Sequence, residues 1–162
     1  MVRRRGEVIV DGDEYHKLCF VRDGYAVRYK LLRNGKRQIL NVILPGDVVG
    51  IPGSFFEKAV YSVSAITDIA MNACTLDAYV QLCYRRPQFG LALTWIAVQE
   101  ATTYAEHIID VGRRTPIERL SHFLLELHSR LRNVGRAEAT RFTLPFSQEV
   151  ICLLYTSDAA DD

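Results

Sequence analysis

Residues 87–111 read PQFGLALTWIAVQEATTYAEHIIDV, and this stretch decides the fold. Pro87 suits the first position of a helix, where its missing N–H is no loss. No proline follows, and the only glycine, Gly90, lies near the start. At 1.5 Å per residue the stretch predicts roughly 37 Å of helix. Leu91, Trp95, Val98, Thr102, Ala105 and Ile109 recur at alternating spacings of four and three. That is a heptad seam, the pattern that packs one helix against another. Phe89, Leu93, Ile96, Thr103, His107 and Val111 form a second stripe, interrupted by Glu100. A surface helix of a monomer needs only one apolar face. Two faces predict two partners, the chain's own core and a second copy of the chain. A helix buried on both sides within one chain is the alternative.

Upstream, short strands and turns are expected from residue 7 to residue 73. Glu14 to Arg22 reads as a strand followed by the turn Asp23-Gly24. Tyr25 to Leu32 sets Tyr25, Val27, Tyr29 and Leu31 against Ala26, Arg28 and Lys30, a period-two, half-buried strand. Asn34-Gly35 is a strong hairpin signal, with Gln38 to Leu44 as the return strand and Pro45-Gly46-Asp47 closing it. Val60–Thr67 and Ile69–Ala73 are expected to pair around Asp68. Strands at this spacing suggest a barrel or jelly roll. Downstream, Thr75 caps a short helix over Leu76–Tyr84. Thr115-Pro116-Ile117-Glu118 is a capping box that opens a helix burying Leu120, Phe123, Leu124, Leu127 and Leu131. Gly135 is placed to end it. Phe142 and Leu144 suggest a short strand, and Ser147-Gln148-Glu149 a new helix start.

The composition is half hydrophobic and one quarter charged over 162 residues, ordinary for a globular chain. A net charge of +1 offers no global field for nucleic acid or membrane. Cys19, Cys74, Cys83 and Cys152 lack metal-type spacing and read as small buried hydrophobes. No signal peptide and no apolar run near 18 residues predict a reduced, cytoplasmic protein without a membrane span. Residues 152–162 end in a small, acidic run with no packing pattern and are expected to be a non-native tail.

Asp23-Gly24-Tyr25 before a strand, Leu44-Pro45-Gly46-Asp47-Val48-Val49-Gly50, and Arg119-Leu120 in the capped helix occur in a specific order. In that order the chain resembles the cyclic-AMP receptor protein/fumarate-nitrate regulator (Crp/Fnr) family of bacterial transcription factors. The resemblance implies an α+β fold. A cyclic-nucleotide-binding-like β jelly-roll barrel (1–86) precedes a long dimerisation helix (87–114) and the start of a winged helix-turn-helix domain (115–151). It also implies a homodimer, with DNA read by a second helix in the major groove. Ser147 and Gln148 match family phosphate-contact positions. The Leu-Gly turn and recognition helix expected after Ile151 are missing from this sequence. DNA binding is therefore expected of a longer parent and not of this fragment.

Cyclic-nucleotide binders of the family carry a Gly-Glu pair and an Arg-Ser pair after the Pro-Gly-Asp turn. The glutamate accepts from the ribose and the arginine pairs with the phosphate. Here Ile51-Pro52-Gly53-Ser54 follows Gly50, and no arginine lies between Gly50 and Ala65. Tyr104-Ala105 stands where the family's adenine-contacting pair would be. Weak or no cyclic AMP binding is expected, because a buried phosphate without a cation is costly. An iron–sulfur cluster needs clustered cysteines, and only Cys19 lies in the first seventy residues. Haem is not expected from His16, His107, His122 or His128, and no metal is expected. An unidentified small-molecule effector would meet Gly50, Ile51, Pro52, Gly53, Phe55, Tyr61 and Ser62, with Thr103, Tyr104 and His107 from the long helix. Alternatively, Phe55, Phe56 and Tyr61 simply fill the barrel. A cupin-like enzyme on the same barrel would need converging histidines, and there is no His-x-His. No P-loop, Gly-x-Ser-x-Gly or His-Glu-x-x-His points to any other enzyme. A dimeric module with neither ligand nor DNA is a further reading.

Overall fold

The computed structural model describes residues 2–3 as backbone and residues 6–145 in full. Ser147, Gln148, Cys152 and the 152–162 tail lie outside the described residues. Among the described residues, eight strands form two antiparallel four-stranded sheets. One orders β1 (Val2–Arg3), β8 (Ile69–Thr75), β3 (Lys17–Asp23) and β6 (Val48–Val49). The other orders β2 (Gly6–Ile9), β7 (Ser62–Ala65), β4 (Ala26–Leu31) and β5 (Arg37–Ile43). Ile9, Val21, Ala26, Ile43, Val49, Val63, Ile69 and Met71 fill the space between them. The result is the jelly-roll barrel expected from the spacing of strands and turns.

The Asn34-Gly35 hairpin forms, with Leu31 opposite Arg37 and Lys30 opposite Gln38. The expected pairing around Asp68 does not. β7 pairs with β2 and β4, whereas β8 pairs with β1 and β3. Asp68 marks a crossing between sheets, beside the crossing from β3 to β4. Gly24 sits between the two at φ +88°, where a Cβ would stand 2.2 Å from the Asp68 carbonyl oxygen. The Tyr25 N–H donates to Thr67 Oγ1 at 2.9 Å and the Ile66 N–H to the Tyr25 carbonyl at 2.8 Å. The two crossings are thereby stitched together, so the chain cannot turn back on itself at Asp68.

Four helices follow or interrupt the strands among the described residues: α1 (Gly53–Phe56), α2 (Leu76–Arg85), α3 (Gln88–Arg113) and α4 (Pro116–Asn133). Thr75 caps α2 by accepting from the Ala78 N–H at 3.2 Å. Pro87 stands just before α3 rather than at its first position. The Thr115/Glu118 capping box is present, and Gly135 follows α4 at φ +70°. Leu93 and Ile96 pack against Leu18, Val48 and Tyr79, so the second stripe of α3 finds the chain's own core. Its ends, Phe89 and Val111, stay exposed. The seam lies on the other side: Leu91 (72 %), Trp95 (62 %), Val98, Thr102, Ala105 and Ile109 are all exposed.

Three further expectations need correction. β4 is not half-buried, because Ala26, Val27, Arg28 and Tyr29 are all buried. Its outward residues Val27 and Tyr29 are covered by Phe123, Leu127 and Leu131 of α4, and Val42 and Leu44 join them. Of the five positions expected to be buried on α4, Leu120 and Leu124 are only partly so. Phe142 and Leu144 form no strand. They pack from a loop against the same α4 cluster, which satisfies their apolar surface without a ladder. The segment 115–145 thus shares a hydrophobic core with the barrel.

Candidate functional site

Arg28 is the unexpected residue. The pleat turns it to the barrel side of β4, opposite Asn41 on β5 and Val63 on β7, and it is 2 % exposed. Its guanidinium lies over the Tyr61 ring, 4.3 Å from the centroid. Its Nη1 donates to the Glu100 carboxylate and to the Tyr104 hydroxyl, both from α3. Burial opposes the cation, but Tyr61, Tyr104 and Glu100 outweigh it and hold the pKa above the ordinary arginine value. Burial also pushes the Tyr61 and Tyr104 hydroxyls up, so both remain protonated. Glu100, which interrupts the second stripe of α3, is therefore the counter-ion of a buried strand residue. The interruption was the available signal: an acid on a core-facing helix stripe calls for a cation inside the core.

A cavity of about 190 Å³ opens between β4–β5, the Pro45-Gly46-Asp47 turn, α3 and the end of α4. Arg28, Asn41, Glu100, Gln99 and Thr103 give it polar walls, and Ile43, Val48 and Ile96 give it apolar ones. Trp95 and Arg130 also border it. The turn is fixed locally. Asp47 accepts from the Leu44 N–H at 2.8 Å, while the Gly46 N–H donates to the Val21 carbonyl at 2.9 Å. Arg130 of α4 closes the far side, at 2.5 Å from Asp47, 2.8 Å from Glu126 and 2.9 Å from the Val42 carbonyl.

The residues expected to line an effector pocket are divided. Tyr61, Thr103 and Tyr104 gather around Arg28 or its cavity. Gly50 and Ile51 back them: the Tyr61 hydroxyl donates to the Ile51 carbonyl, and a Cβ on Gly50 would stand 2.2 Å from the Lys17 carbonyl oxygen. Pro52 precedes α1, and Gly53 is its first residue. Ser62 instead accepts from the Asp11 N–H at 3.0 Å. Phe55 is 52 % exposed and faces a separate cleft with Leu76, Tyr79 and Tyr84 of α2. Phe56 is exposed too, so of the three aromatics only Tyr61 fills the barrel. His107 joins Glu126 at 2.7 Å and borders a third, wider cleft with Leu40 and Ile108. No cluster of metal-ligating side chains occurs among the described residues, and no described helix is long and apolar enough to cross a membrane.

The pattern described as the cyclic nucleotide-binding domain matches residues 2–85, half of the chain. The chain belongs to the cyclic nucleotide-binding domain family. Within it, the relatives are Crp/Fnr-type transcriptional regulators. The nitrogen fixation regulation protein FixK of Bradyrhizobium diazoefficiens is 30% identical over 131 residues, covering 81% of this chain and 54% of that protein. The transcriptional activator protein FnrL of Cereibacter sphaeroides is 27% identical over 145 residues, covering 88% and 58%. The structure of FixK2 from Bradyrhizobium japonicum superposes with a TM-score of 0.82 at 27% identity, covering 96% of this chain and 75% of that one. The chain spans a little over half the length of the FixK and FnrL relatives. The family's description names a cyclic nucleotide, and the Gly-Glu and Arg-Ser pairs expected of its binders do not occur after Gly50. Ile51 follows Gly50, and residues 51–65 contain no arginine.

The α3–α4 contact is ionic as well as apolar. Burial works against the charged His107 ring, but Glu126 and Asp110 raise its pKa above the ordinary value. Burial likewise opposes the Glu126 carboxylate, yet His107 and Arg130 hold it lowered. A histidine raised in the folded state stabilises fully below its unfolded value, about 6.5, and loses that contribution as pH rises through the folded value. The thermal midpoint should therefore fall as pH increases from about 6 to about 9, and His107→Gln should flatten that fall. Melting curves across the interval check this. An equal slope in both proteins would assign the pH dependence to other groups.

Proposed function

We propose that this chain is the sensing and dimerising part of a cytoplasmic, DNA-binding transcription regulator of the Crp/Fnr type, and not an enzyme. One observation carries the reading. A 26-residue helix presses one face, through Ile96 and Glu100, on the barrel and leaves a heptad seam bare on the other. A helix so placed is suited to pass a change at the barrel to a second subunit. FixK and FnrL, regulators by name, support DNA as the eventual partner. The effector is a small molecule other than cyclic AMP, and neither haem, an iron–sulfur cluster nor a metal takes part. The absence of a phosphate-binding arginine after Gly50 supports the first exclusion. Cys19, Cys74, Cys83 and Cys152 lack the close spacing of a cluster site, which supports the exclusion of one held by this stretch of chain.

Selection from random-sequence DNA with a protein of the relatives' full length tests the proposal. It should enrich a two-fold-symmetric site whose halves lie about one helical turn apart, with retention falling steeply as salt rises. A pool that stays random through selection would contradict it.

A further inference from the structure

We propose that the cavity between β4–β5 and α3 binds a small organic carboxylate, whose oxygen accepts from the Nε–H of Arg28 and competes with Glu100 for that cation. The inference rests on the reading of the chain as an effector sensor, and it names the class of effector and the way it acts.

The Nε of Arg28 has no hydrogen-bond partner, although the residue is 2 % exposed. Its hydrogen bonds to Glu100 and Tyr104 both leave from Nη1. An orphan donor on a buried cation is a costly feature, and such groups mark sites that something else completes. A carboxylate is the natural complement, because the edge of a guanidinium matches its two oxygens.

Arg28 cannot leave to meet a ligand elsewhere. Strand register fixes it between Asn41 and Val63, and Tyr61 lies against its face. Glu100 can leave. It sits on α3 with 21 % of its side chain exposed. The other guanidinium at the cavity, Arg130, is already engaged by Asp47 and Glu126, which leaves Arg28 as the cation for an incoming anion. Two carboxylates on one buried arginine repel each other, so the ligand and Glu100 compete. Whichever wins decides whether barrel and long helix are tied.

Size and lining narrow the class. A dry cavity of about 150 Å³ accommodates benzene, and this one has about 190 Å³. Ile43, Val48 and Ile96 supply an apolar wall beyond the arginine. A ring or short chain bearing a single carboxylate fits both features.

The chain contains one tryptophan, and Trp95 borders the cavity, so its fluorescence reports occupancy. The whole chain should be titrated with benzoate, acetate, benzamide and inorganic phosphate. Benzoate should saturate in the millimolar range or below, with benzamide and phosphate at least about tenfold weaker. Glu100→Gln removes the competitor and should tighten benzoate about tenfold, whereas a purely structural pair would give no gain. Arg28→Lys keeps the charge but loses the Nε–H and should weaken benzoate about tenfold. If Arg28→Lys does not fold, Glu100→Gln decides alone. The proposal fails if neither benzoate nor acetate saturates by about 50 mM, if benzamide binds as well as benzoate, or if Glu100→Gln does not tighten binding. Sedimentation of the same samples separates the two readings. A dimer blind to carboxylates overturns the site and spares the dimeric sensor. A monomer that binds benzoate with this pattern does the reverse.

Discussion

Glu100→Leu should lower the free energy of unfolding by about 3 kcal/mol, read from urea denaturation, because it strands a charge inside the barrel. Arg28 is held by Glu100, Tyr104 and Tyr61, and only Glu100 carries a compensating charge. Breaking a buried ion pair on one side costs about 3–5 kcal/mol. The lower end applies because the Glu100 side chain keeps about a fifth of its surface in water and two tyrosines remain. The double variant Arg28→Met/Glu100→Leu should recover most of the loss, since an apolar pair of similar volume needs no compensation. If the single and double variants are equally destabilised, packing rather than charge is the dominant role of these residues.

Leu127→Ala should cost about 3 kcal/mol or more by the same measurement. Leu127 is fully buried in the cluster where Phe123 and Leu131 of α4 meet Val27, Tyr29, Val42 and Leu44 of the barrel. Truncating it removes apolar contacts on both sides and leaves a cavity between two rigid elements, which relax only partly. Leu125 lies on the same helix but is 67 % exposed. Leu125→Ala should stay within about 0.5 kcal/mol of the parent. Equal effects at both positions would mean that α4 does not rest on the barrel.

The parts of this fold written in local signals were readable in advance. Gly35 takes its positive φ of +80° and the hairpin forms, Thr115 and Glu118 make their capping box, and the heptad of α3 emerges as an unpartnered stripe. Connectivity between sheets was not readable. Asp68 looks like any turn residue, and only the crossing at Gly24, far away in sequence, prevents the hairpin there. Burial of β4 on both faces was hidden for the same reason. Val27 and Tyr29 gain their cover from α4, about a hundred residues later. Arg28 therefore read as the wet side of a half-buried strand. Of the ten pocket positions read from the sequence, Tyr61, Thr103 and Tyr104 meet at Arg28 or its cavity, while Phe55, Ser62 and His107 serve other contacts. Spacing along a chain reports which residues share an element, but not which cation an acid such as Glu100 faces across the core.

The central claim is that the bare flank of α3 joins a second copy of the chain, and sedimentation equilibrium tests it most directly. The chain should sediment as a dimer at micromolar concentration, and Ile109→Asp should sediment as a monomer of unchanged circular dichroism, because an unpaired carboxylate in the seam is costly to bury. A monomer in the parent chain at high concentration, or a dimer that survives Ile109→Asp, would contradict it.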